Sequence, residues 1–159
     1  GYGLSGDAYH VTAPHPEGLG AQLAMEMALR KAGMGPGDID YVNAHGTSTP
    51  MNDGSECAAA CVVFGDHKSQ VAVSSTKSVT GHLIAAAGAV EAAACALAIH
   101  NGLLPVNANL QEPDPDCDID IVTGQPRERR VRIAMSNSLG FGGSNSCLVL
   151  RHPEEVAAG

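Results

Sequence analysis

Three short stretches hold the side chains able to do chemistry. The first is Asn43-Ala44-His45-Gly46-Thr47-Ser48-Thr49-Pro50, an imidazole followed by a glycine and three hydroxyls. A histidine at the end of a buried strand, leading into such a loop, is well placed to act on a ligand. Asp53 and Glu56 follow, on the first turn of the next helix, where capping alone would also account for carboxylates. The second stretch runs Ser74-Ser75-Thr76-Lys77-Ser78 and on to Gly81 and His82. The third is Asn137-Ser138, then Gly140-Phe141-Gly142-Gly143-Ser144-Asn145. A phenylalanine between glycines is free to swing, and the backbone amides around it can approach a ligand closely.

Each stretch needs a scaffold, and hydrophobic spacing supplies one. Residues 1–18 are rich in Gly, Pro and His and read as loop. Residues 17–32 carry apolar side chains at helical spacing, stopped by Gly33 and Gly35. Ile39–Ala44 reads as a strand and 53–64 as a helix ended by Gly65. Val71–Ser74 is a second strand. Residues 85–100 form the strongest helix, Ala-rich and closed by Asn101-Gly102. Residues 103–109 are extended, 112–118 are an acidic, Pro-containing loop, and 131–137 and 146–151 are two apolar strands around the Gly-rich turn. The tail after His152 is expected to fray. Strands alternating with helices predict an α/β domain. A last pair of strands joined by a short turn predicts an antiparallel edge, hence a mixed, five-stranded sheet with covering helices.

Composition narrows the function. The chain has 159 residues, 44% hydrophobic and 16% charged, which is globular rather than disordered. Nine Lys and Arg against 17 Asp and Glu give a net charge of −8, which lacks the basic footprint of a nucleic-acid binder. The uncharged run 78–90 is too short and polar to span a bilayer. The basic residues cluster only at Arg127, Arg129, Arg130 and Arg132, read as a solvated turn. Five cysteines (57, 61, 95, 117 and 147), an odd number without a CxxC pair, suit a reduced cytosolic protein and no metal site. His15, His67, His100 and His152 read as surface positions. The chain opens on Gly1 in polar, Gly-rich sequence, as the interior of a longer protein would.

The string Asn43-Ala-His45-Gly-Thr-Ser-Thr49-Pro, with Ser75-Thr-Lys77-Ser, Gly81-His82-Leu-Ile-Ala-Ala-Ala-Gly88 and Gly140-Phe-Gly-Gly-Ser-Asn145, resembles the β-ketoacyl-acyl carrier protein synthases. The likeness is strongest to the C-terminal half of the elongating synthase II type and runs from the Asp7-Ala-Tyr-His10 loop to about Leu150, implying a domain over 1–152 and a tail over 153–159. It implies half of a thiolase-like fold, with the N-terminal, nucleophile-bearing half absent. It also implies a cytoplasmic acyltransferase of fatty acid elongation, homodimeric when complete and needing no cofactor. Its partner would be acyl carrier protein bearing acyl and malonyl groups on pantetheine. No nucleic acid and no membrane is implied.

The resemblance also assigns roles. His45 and His82 would donate to the enolate oxygen formed when malonyl loses CO₂. Lys77 would pair with Glu56 and Asp53 and orient His82. The Phe141 amide would form half of an oxyanion hole, its ring gating the acyl pocket. Thr47, Thr49 and Thr12 would bind substrate, the first two through the pantetheine arm, with Asn145 in support. The loop bearing Asp7 and His10 would move with the turn Gly140, Phe141, Gly142 and Gly143. The reaction needs a cysteine nucleophile, and none of the five here suits that role. Cys95, Cys57 and Cys61 are helical, Cys117 lies among acids and Cys147 within a strand. Two other readings compete: a non-catalytic chain-length partner or polyketide ketosynthase half, and a module binding an anion through Gly-rich loops.

Overall fold

A computed structural model describes residues 1–156. Chain order is β1 (Tyr2–Gly6), α1 (Leu19–Ala32), β2 (Tyr41–Asn43), α2 (Pro50–Phe64), β3 (Ala72–Ser74), α3 (Lys77–Thr80), α4 (Ala87–Asn101), β4 (Leu103–Leu104), β5 (Asp120–Ile121), β6 (Arg127–Glu128), β7 (Ile133–Gly140) and β8 (Ser144–Arg151). The main sheet is six-stranded, ordered β1-β8-β7-β2-β3-β5, and β4 and β6 form a separate antiparallel ribbon. The strands from β7 through β2 and β3 to β5 are parallel, while β8 and β1 run antiparallel at the edge. The sheet is mixed, as expected, but has six strands rather than five.

Side-chain alternation sorts the core into two layers. Val42 lies level with Val73 and Met135, and all three point towards α1 and α2. Tyr41 lies level with Ala72 and Ala134, and these face α4 together with Cys95, Ala98 and Leu104. Every second strand residue thus serves the opposite layer, which is why β2 and β3 are buried throughout.

Two strands of the main sheet were hidden in the sequence, as was β6, read as a solvated turn. β1 lies within the stretch read as loop, because Gly3 and Gly6 carry no strand propensity. Packing explains Gly3: a Cβ there would sit 1.8 Å from the carbonyl oxygen of Ala24 on α1. β5 is a two-residue strand behind the acidic loop, too short for any period to show. Only Leu103–Leu104 of the extended segment is a strand, and it pairs with the first residues of the basic cluster. Helix α2 begins at Pro50, where the missing N–H costs nothing. The tail makes a 3₁₀ turn at Pro153–Val156, and residues 157–159 of the expected fray lie outside the described residues.

Helix α4 buries Ala87, Glu91, Cys95 and Ala98 against the sheet, while Val90 and Leu97 on its other side are exposed. The run Ile84–Asn101 is apolar and long enough to cross a membrane by length and composition alone, with mean hydropathy 1.4. Its inward side nevertheless carries the buried Glu91, ion-paired to Lys77.

Candidate active site

The chemistry-bearing loops sit at the carboxyl ends of β2 and β3, the place where open α/β sheets bind ligands. They surround a cavity of about 830 Å³ whose wall includes Thr47, Asp53, Glu56, Ser75, Lys77 and His82. The loops are locked to one another. Thr76 N–H donates to Asn43 Oδ1 at 3.3 Å, and Ser75 Oγ donates to Gly46 O at 3.0 Å. Gly46 has φ +42, and a Cβ there would lie 2.5 Å from Ser75 Cβ, so only glycine allows the two loops to touch.

His45 and His82 meet edge to face, their ring centroids 5.3 Å apart and their planes 83° apart. Hydrogen bonds fix both tautomers in the same sense. Lys77 Nζ approaches His45 Nδ1 at 3.2 Å, and an ammonium can only donate, so Nδ1 is the acceptor. Ile84 N–H donates to His82 Nδ1 at 3.0 Å. The proton of each neutral ring therefore belongs on Nε2, where no hydrogen bond is made among the described residues. Desolvation by burial, with the positive charge of Lys77 next, lowers the His45 pKa to about 4 and keeps the ring neutral. His82 is exposed and lines the cavity, whereas His45 is buried behind it.

Lys77 does not pair with Glu56 or Asp53. Its ammonium is ion-paired to Glu91 of α4, both side chains being almost fully buried. The sequence reading missed Glu91, although a lone carboxylate in an Ala-rich helix was a signal. Glu91 Oε2 has no hydrogen-bond partner among the described residues.

Glu56 holds backbone instead. Its Oε1 accepts the His45 amide at 2.8 Å and its Oε2 the Gly46 amide at 2.9 Å. Asn137 Nδ2 adds a bond to Oε1 at 3.2 Å. Burial raises the Glu56 pKa, and these donors oppose the shift. Asp53 caps the same loop by accepting the Ser48 amide at 3.1 Å. Both acids serve the loop because the first turns of α2 present them to its end, while Lys77 turns towards α4.

The third stretch forms a turn at Phe141–Gly143, with Phe141 81% exposed. It is stitched to the N-terminal loop. Gly142 N–H donates to Val11 O at 2.7 Å and Asp7 N–H to Gly143 O at 2.9 Å. Asn145 Nδ2 donates to Asp7 Oδ1 at 2.7 Å. Gly143 has φ +71 and leaves no room for a Cβ, which would lie 2.8 Å from Asp7 Cβ. His10 Nδ1 accepts the amides of Thr12 and Ala13, both at 3.1 Å, shaping the same loop. Thr49 bonds Thr47 through their hydroxyls at 2.9 Å. Of these groups only Thr47 lines the cavity; Thr49, Thr12, His10, Asp7, Asn145 and Phe141 lie outside its wall.

The cysteines depart from expectation. Cys57 and Cys117 are joined in a disulfide, and both line the cavity. Sixty residues separate them, so only the folded chain brings them together. Cys95 is buried and its thiol is pushed up to about 12, and burial raises Cys147 as well.

A mixed α/β sheet with polar loops converging over a cavity defines a ligand-binding or catalytic domain. The β-ketoacyl synthase C-terminal domain matches residues 1–111, and the chain belongs to that family. It is 51% identical over 150 residues to 3-oxoacyl-[acyl-carrier-protein] synthase 2 of Coxiella burnetii (strain RSA 493 / Nine Mile phase I), covering 94% of this chain and 36% of the relative. Against the protein of the same name from Rhizobium meliloti (strain 1021), identity is 52% over 151 residues, covering 95% and 36%. Among solved structures, a type II PKS acyl-carrier protein in complex with its ketosynthase bound to the hexaketide superposes at TM-score 0.92, with 37% identity over 95% of this chain and 37% of that one. The chain thus spans about 36% of the curated relatives it matches.

Proposed function

We propose that this chain supplies the His45, His82 and Lys77 part of a fatty acid-elongating condensing site. The observation that carries the reading is the pair of neighbouring imidazoles whose Nδ1 atoms are both occupied, leaving two Nε2–H donors. Decarboxylation of a malonyl thioester breaks the bond to CO₂ and leaves its electron pair as an enolate. The charge builds on the thioester oxygen, and two donors already fixed there stabilise it without reorganisation. The enolate carbon then attacks the acyl thioester, the new C–C bond forms, and the sulfur of the acylated cysteine leaves. Lys77 holds His45 in its donor tautomer and keeps it neutral; it forms no bond to substrate.

The nucleophile comes from elsewhere in the complete enzyme. Cys95 and Cys147 are buried thiols with raised pKa, Cys57 and Cys117 are joined to each other, and Cys61 lies within α2 outside the cavity wall. This chain alone is therefore inactive. The Phe141 amide contributes to the oxyanion hole of the acyl-transfer step and its ring gates the acyl pocket. Thr47, in the cavity wall, holds the pantetheine arm, with Thr49 bonded behind it. The partners are acyl carrier protein and the nucleophile-bearing half, and the complete enzyme is a cytoplasmic homodimer acting without nucleic acid or membrane.

The test is malonyl decarboxylation by the complete enzyme. His45→Ala and His82→Ala should each lower it by roughly 10²–10³-fold, with acylation of the cysteine less affected. Equal loss of both steps would remove the enolate-donor assignment. A polyketide role is favoured by the likeness to the hexaketide-bound ketosynthase. Turnover of polyketide intermediates in preference to saturated acyl thioesters would select that reading.

A further inference from the structure

We propose that Cys57, Cys61 and Cys117 form a thiol–disulfide exchange site, at which a dithiol reductant opens the Cys57–Cys117 bridge and frees the acidic strap 110–118 from α2. Three observations converge on it. The bridge joins α2 to the strap across the wall of the cavity, which also includes Leu110, Gln111 and Glu112. A free thiol, Cys61, stands one turn beyond Cys57 on α2 and is half-buried. Its Sγ lies 3.9 Å from the carbonyl oxygen of Asp118, the residue next to Cys117. The strap is otherwise thinly held. Among the described residues its hydrogen bonds within 111–117 are local, Cys117 N–H to Asp114 O and Asp116 N–H to Asp114 Oδ1. The other tie to the body of the protein is the ion pair of Asp118 with Lys68, at 2.6 Å, on a side chain 81% exposed.

Access chooses the sulfur that is attacked. Cys117 is half-buried on an exposed loop, whereas Cys57 is 7% exposed. A reductant thiolate attacks Cys117 Sγ, and the Cys57–Cys117 bond breaks. Cys57 leaves as a thiolate and takes up a proton. The second thiolate of the reductant attacks the mixed disulfide, releasing Cys117 and closing the reductant's own disulfide. Two electrons pass from the reductant to the bridge. Cys61 offers Cys117 a second partner on the same helix, so the strap can be recaptured one turn further along. The bridge ties the strap to α2 at Cys117, and once it opens the Asp118 contacts with Lys68 and Cys61 remain, so the strap is more mobile when reduced. The site does not depend on the condensing reaction proposed above.

The experiment uses the complete polypeptide that carries these residues, alkylated and digested without reductant, with mass spectrometry of the peptides. A linked Cys57–Cys117 peptide pair is expected, lost in one transition across a series of reduced-to-oxidised dithiothreitol ratios while the protein stays folded. Both cysteines alkylated before reduction, or a bridge that opens only on unfolding, would overturn the proposal. Amide exchange in 110–118 should quicken by about tenfold or more on reduction while β2 and β3 are unchanged; an unaltered strap would overturn its release. In Cys57→Ser, a Cys61–Cys117 pair should replace the native one, and free Cys61 and Cys117 after oxidation would remove Cys61 from the site. Should that variant not fold, the wild-type titration and exchange measurements decide the matter alone.

Discussion

At the scale of the residue, the site is governed by which atom holds which proton. His45 sits beside the Lys77 ammonium and away from water, so its pKa falls from 6.5 to about 4. The neutral donor form then persists through the whole physiological range. The imidazole carbon-bound protons should titrate by NMR with a midpoint near 4, and a midpoint near the ordinary value would show that burial and Lys77 do not act as described. The folded state binds fewer protons at this ring than the unfolded state between the two pKa values. Stability from His45 is therefore complete above about 6.5 and lost as pH falls towards 4. Glu56 works in the opposite sense, since its raised pKa makes the folded state the better proton acceptor just above the ordinary carboxylate value.

Glu91 supplies a second test at this scale. Glu91→Gln keeps the shape but leaves the Lys77 ammonium buried without its counter-charge. A loss of roughly 3–5 kcal/mol is expected in denaturant unfolding of the complete protein. Adding Lys77→Met should restore part of that stability, because the unpaired charge goes with it. If the double variant is no better than the single one, the ion pair is not what Glu91 provides.

At the scale of the element, glycine sets the distances. Gly3 lets α1 lie directly on β1, and Gly3→Ala would push a methyl group into the Ala24 carbonyl. The helix must shift, at about 1–3 kcal/mol, measured as a lower unfolding midpoint with α1 amides exchanging faster. An unchanged midpoint would mean that β1 moves instead. The same close packing explains what the sequence hid. Strong helices such as α4, and strands flanked by motif residues such as β2 and β3, were legible from period and punctuation. β1 was not, because its glycines answer to a helix packed across the strand rather than to the strand itself. The site was legible for a similar reason: His45, Lys77 and His82 lie in compact segments just after β2 and β3 whose spacing survives in the sequence. The true partner of Lys77 was not, since Glu91 arrives from α4 through tertiary packing, as Cys117 does at Cys57.

At the scale of the whole molecule, α4 poses an unbalanced problem. Apart from the ion-paired Glu91 and its last turn it is apolar on every side, the signature of a helix buried all round, yet only the side with Ala87, Cys95 and Ala98 meets the sheet. The other side presents Val90 and Leu97 to solvent, and Val79, Leu83 and Ile84 just before the helix in the chain are exposed too, the last at 80%. Such a patch drives association. The 159-residue chain alone should therefore sediment as oligomers at micromolar concentration. Leu97→Glu should shift it towards monomer without lowering its unfolding midpoint. In the complete protein the same substitution should lower the midpoint by an amount typical of a charge forced into an apolar contact, about 2 kcal/mol or more. The sign of the effect thus reports what covers α4. Stabilisation or indifference in both settings would mean that nothing does, and the face would then be an ordinary solvated surface rather than a buried contact.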